Sequence, residues 1–120
     1  MHKMKFLTLL FILLLASCSS APKIQGAFID GECKPTSINL EIIKRVSIEE
    51  LDLELKKIYR NGINGVIEKE YDQLKLTLSE GGFLYEISSD QKSWQALHGS
   101  WGYGVVSKNC LVSYLQLMVS

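Results

Sequence analysis

The feature that most limits what this chain can fold into is its beginning. Lys3 and Lys5 stand ahead of Phe6 to Leu15, an apolar run interrupted only by Thr8. A run this short does not span a bilayer as a helix, which takes about 20 residues. A basic head, a short apolar run and then small residues is the pattern of a secretory signal. Residues 1 to about 17 are therefore expected to be removed, leaving about 100 of the 120 residues to fold. That suffices for one domain with one core and is too little for two.

The run ends in Leu15-Ala16-Ser17-Cys18. These residues resemble the lipobox of bacterial lipoproteins: a branched apolar residue, two small ones, then cysteine. The resemblance covers the N-terminal segment alone and implies nothing about the fold behind it. It implies that the Cys18 thiol receives a diacylglyceryl group, that a peptidase cuts just before it, and that the freed amine is acylated as well. Two or three acyl chains hold a protein stably where one holds it marginally, at roughly 0.8 kcal/mol per buried methylene. The expected membrane partner is thus reached through lipid. Ser19 stands where the family's inner-membrane retention signal has Asp, which implies the outer membrane, facing the periplasm. Residues 18–26 are then anchor and linker, and residues 27–120 a single periplasmic domain. From Ser19 to Gly26, at no more than about 3.6 Å per residue, the linker reaches under ~30 Å. The domain must sit close to the lipid surface.

Removal of Lys3 and Lys5 leaves eleven basic against thirteen acidic side chains, a net charge of −2. That total makes no electrostatic case for nucleic acid or for an anionic surface. With Cys18 committed to lipid, Cys33 and Cys110 remain, in a compartment where disulfides persist. A bond between them is expected, tying the start of the domain to its last strand. The alternatives are weaker in chemistry. A metal site needs more ligands than two distant cysteines and one histidine, and a redox pair more often takes the form C-x-x-C.

The clearest element is a helix over about Ile48 to Arg60. Ser47 and Glu50 form an S-x-x-E capping box, and Val46 with Leu51 has hydrophobic-staple spacing. Glu49, Glu50 and Asp52 open the helix and Lys56, Lys57 and Arg60 close it, in keeping with the macrodipole. Asn61-Gly62 ends it. Ile48, Leu51, Leu55, Ile58 and Tyr59 share one face. Elsewhere the pattern reads as strands: Ile38, Leu40 and Ile42; Leu74, Leu76 and Leu78; Phe83, Tyr85 and Ile87, each in alternation with polar neighbours. Ser79-Glu80-Gly81-Gly82 reads as a hairpin turn. Trp94 to Leu97 and Gly99 to Val106 are further strand candidates, and Cys110 to Val119, apolar on both phases, reads as a doubly covered strand. The fold class is α+β: an antiparallel meander or small barrel with one amphipathic helix packed against it.

The order L-x-L-x-L, Gly-Gly-Phe, polar turn, Gly99-Ser100-Trp101 and apolar terminal strand resembles small lipocalin-like lipoprotein domains. The chain departs from their copper-resistance type in having no C-x-x-C, and from lipoprotein lysozyme inhibitors in lacking their Ser-Gly and paired-Trp signatures. No binding residue carries over.

No constellation for catalysis, metal or nucleotide stands out, and no cofactor is expected. His98 with Ser100 and Glu86 or Asp90 can be pictured as a hydrolytic set, but nothing in the spacing demands it. Glu68, Glu70 and Asp72 read as a polar strand or loop face. The aromatic residues crowd towards the end, and Trp94, Trp101 and Tyr103 form the candidate binding surface, because Trp and Tyr supply much of the energy at binding hot spots. The expectation is a non-enzymatic binding module for another envelope or secreted protein. Alternatives are an inhibitor or immunity lipoprotein, or a carrier of a small apolar ligand, which requires a deep apolar cavity.

Overall fold

A computed structural model describes residues 23–119. The signal segment and Cys18 lie outside the described residues. Six strands form one mixed sheet: β1 (Gly26–Ile29), β2 (Glu32–Lys34), β3 (Leu40–Arg45), β4 (Phe83–Ser89), β5 (Ser100–Ser107) and β6 (Cys110–Val119), in the order β2-β1-β6-β5-β4-β3. From β3 to β6 consecutive strands pair antiparallel, as the expected meander does. The barrel alternative fails. β2 and β3 end the sheet as its two edges, and β1 joins β6 in parallel.

Among the described residues three helices, not one, accompany this sheet: α1 (Ile48–Ile58), α2 (Gly65–Glu80) and α3 (Gln91–Gln95). α1 carries the capping box in full, with the Glu50 amide donating to Ser47 Oγ at 3.1 Å and the Ser47 amide to Glu50 Oε1 at 3.4 Å. Its residues Leu51 and Leu55 are completely buried, and Val46 joins them in the same cluster.

α2 overturns the strand expected at Leu74, Leu76 and Leu78. Ile67, Tyr71, Leu74 and Leu78 recur at helical spacing and pack on the core, while Leu76 stays 55% exposed. A helix gathers side chains three and four residues apart on one face, and that spacing wins over the period-2 pattern of three leucines. Asn64 caps it, accepting from the Ile67 amide at 2.9 Å. Ser79 to Gly82 is therefore the helix end and its exit, with Gly81 and Gly82 at positive φ, not a hairpin turn. Glu68, Glu70 and Asp72 lie on this helix as well. The strand expected at Trp94 to Leu97 is likewise replaced by α3 and the turn after it.

The helices cover one face of the sheet, where Leu51, Leu55 and Leu74 meet Leu84, Val105 and Leu115. Each fully buried leucine is worth about 1.5–3 kcal/mol. The opposite face holds a smaller cluster of Tyr85, Ile87, Val106 and Leu111. Gly104 makes it possible, since a Cβ there would strike the side chains of Leu111 and Ile87; the two neighbouring strands close over the bare backbone.

Cys33 and Cys110 form a disulfide. β1 lies between their strands, and two strand spacings of a flat sheet amount to about 9.6 Å. Their Cα atoms are 5.9 Å apart, so the β1–β2 hairpin curls strongly and the bond passes across β1. Gly26 sits under this curl, because a Cβ on it would overlap the Lys34 carbonyl.

Candidate functional site

Trp94, Trp101 and Tyr103 are delivered by two neighbouring elements. β4 and β5 pair so that Glu86 faces Tyr103 and Ser88 faces Trp101. Alternation along each strand puts these four side chains on one sheet face, the one the helices cover. Trp101 is half-buried, and its Nε1–H donates to Glu86 Oε2 at 2.9 Å. Its ring meets that of Tyr103 edge to face, with centroids 5.5 Å apart and planes at 66°.

Trp94 arrives from α3. Asp90 caps that short helix, accepting from the Ser93 amide at 2.8 Å and from Ser93 Oγ at 2.6 Å; these bonds hold the Asp90 carboxyl below its ordinary range. The exit is tight. Leu97 has φ of 62°, a region that costs a non-glycine residue energy, and the His98 amide donates to the Ser93 carbonyl at 2.8 Å. The turn lays the Trp94 indole against Gly99, where a Cβ would overlap the ring. Trp94 Nε1–H donates to Ser88 Oγ at 3.2 Å.

Both indoles are thus oriented by a hydrogen bond to β4 while remaining partly exposed. Tyr103 is different. At 5% exposure it lies within the core, and burial first, then the carboxylates of Glu86, Glu54 and Glu50, push its phenol up to about 12. It supports Trp101 from below and offers no contact area. Sequence reasoning missed the apolar residues at the rim: Met118, opposite Trp101 in register and 56% exposed, and Leu97, 73% exposed. The positive φ of Leu97 carries no signal in the sequence.

The residues pictured as a hydrolytic set are engaged elsewhere. Ser100 is buried on the other face, its Oγ 2.7 Å from Tyr114 Oη and donating to Gln116 Oε1 at 3.0 Å. Glu86 holds Trp101 and Asp90 caps α3. His98 is exposed and lines a cleft of about 490 Å³ with Ser37, Asn39, Asp90, Lys92 and Ser93. Ile38 and Ala96 complete this lining and give it apolar as well as polar surface. Among the described residues no three His, Cys, Asp or Glu side chains cluster in a way that would hold a metal ion. No helix among them is long and apolar enough to cross a membrane.

The chain matches no protein-family model, no curated protein and no solved structure.

Proposed function

We propose that this protein is a lipid-anchored periplasmic module, held at the outer membrane through Cys18, that binds another protein of the envelope or a secreted one without catalysing a reaction. The observation that carries the binding reading is the pair of half-exposed tryptophans, each fixed in orientation by its own N–H bond. Rings held in place lose little side-chain entropy on contact, and Trp is enriched at binding hot spots. The apolar rim of Leu97 and Met118 extends the contact area. The anchor rests on the lipobox resemblance of Leu15 to Cys18. A non-catalytic role is supported by the structural employment of Ser100, Glu86 and Asp90. The same surface serves an inhibitor or immunity lipoprotein, whereas a carrier calls for an enclosed apolar cavity.

The test is crosslinking in cells followed by affinity capture and mass spectrometry, with Trp94→Ala, Trp101→Ala and His98→Ala compared. A partner lost in both tryptophan variants and kept with His98→Ala is expected, all three unfolding as cooperatively as the parent. A partner retained by both tryptophan variants sinks the assigned surface.

A further inference from the structure

We propose that the end of the sheet where the chain enters is a headgroup-binding face, on which Lys23, Lys34, Arg45 and Lys108 meet the anionic glycerophospholipids of the leaflet that holds the anchor. This rests on the lipoprotein reading above and deepens it.

Strand register places the four cations along one end of the sheet, from edge strand β2 to edge strand β3. Gly26, the first residue of β1, pairs with Cys110, the first of β6, and Ala27 pairs with Lys34, the last of β2. Arg45 ends β3 opposite Tyr85, near the start of β4, and Lys108 lies in the turn between β5 and β6. Lys23 directly precedes this end of the sheet, and all four residues are exposed. The ion pairs among the described residues lie on the helices, between Lys56 and Asp52, Lys57 and Glu54, and Lys75 and Asp72. None of the four cations has a carboxylate partner there. Asp30, Glu32 and Asp90 occupy the opposite end.

The acids at the basic end belong to the helix layer, namely Glu49 and Glu50 in the first turn of α1 and Glu80 at the end of α2. Lys44 lines a groove with Glu50 and Glu54 and is not counted. Phe83, 49% exposed, has the Arg45 guanidinium 4.1 Å above its ring, an apolar body with a charged cover that suits the boundary between headgroups and acyl chains. A net charge near zero conceals this segregation. Screening limits it to cations within about 8 Å of the surface. From Cys18 to Lys23 the chain reaches no more than about 18 Å, which holds this end, and no other, beside the lipid.

The experiment starts with protein purified from cell membranes, whose mass reports acylation at Cys18. It is reconstituted in vesicles of phosphatidylethanolamine alone, or with one part in three phosphatidylglycerol, and its lysines are acetylated and read by mass spectrometry. Lys23, Lys34 and Lys108 are expected to react several-fold more slowly in the anionic vesicles, with the difference erased by high salt. Lys69, Lys75 and Lys92 should react equally in both. The double variant Lys34→Glu, Lys108→Glu should lose the protection at unchanged thermal stability. Equal reactivity in the two vesicles overturns the proposal. A mass without acyl chains refutes the lipoprotein reading alone. The same protein is then mixed with the same vesicles: flotation only with the anionic ones upholds the face, and flotation with neither overturns it.

Discussion

On the helix-covered face of the sheet, Leu51, Leu55, Leu74 and Leu115 lose all exposure, whereas in the β1–β2 hairpin Phe28 and Ile29 remain exposed, as does every residue of β2. The first region is held by burial of apolar area. The second has little to bury, and its attachment falls to one covalent bond and to the short parallel pairing of β1 with β6. The difference teaches that one sheet can be continuous in hydrogen bonding and discontinuous in what stabilises it.

The strongest way to break this comparison is to remove the bond. Closing a loop with a sequence separation of 77 stabilises by about 4–5 kcal/mol on the chain-entropy model. Cys33→Ala with Cys110→Ala is expected to lower the unfolding free energy by that amount, and amide hydrogen exchange should accelerate first in β1 and β2. Amides there that stay as protected as those of α2 would show that the hairpin holds by packing after all.

Next in size is Leu74→Ala. A fully buried leucine replaced by alanine leaves a cavity and costs about 3 kcal/mol. Urea denaturation should show this loss spread over the whole domain, with no selective exposure of the hairpin. A cost below about 1 kcal/mol would mean that the helix layer closes over the gap.

The smallest effect sharpens the comparison without cutting anything. Tyr103 has its phenol raised from 10.0 to about 12 by burial and by Glu86, Glu54 and Glu50. The fold therefore favours the protonated ring. That contribution is complete below pH 10 and drains away as pH rises towards 12. Stability measured between pH 9 and 12 should fall, and Tyr103→Phe should flatten the fall.

Much of the helix-covered face is legible in the sequence, and the reasons are local. The capping box of Ser47 and Glu50 announces α1 because its chemistry is complete within four residues. Phe83 to Ser89 and Cys110 to Val119 alternate or run apolar over enough residues to read as strands. α2 was concealed by Leu74, Leu76 and Leu78, whose period of two outweighs the weaker signal of Ile67, Tyr71, Leu74 and Leu78 at helical spacing. Asn64 as a cap was the missing clue. α3 is too short for periodicity to speak. Of the candidate surface, the two indoles were visible as residue types, but which rings face outward depends on strand register and on the turn at Leu97. The placement of Lys23, Lys34, Arg45 and Lys108 at one end was invisible for the same reason: strands distant in sequence bring them there.

The disulfide that passes across β1 also sets an order of events. As the chain is made, Cys33 emerges long before Cys110, which opens the last strand. Contacts between α1 and α2 span short stretches of chain and can form while β6 is still missing. The hairpin cannot be locked, nor its parallel partner found, until nearly the whole chain is present. Non-local closure of this kind is slow relative to local contacts. The β1–β2 hairpin is thus the part whose attachment to the sheet comes last, and the Cys33 thiol waits for its partner.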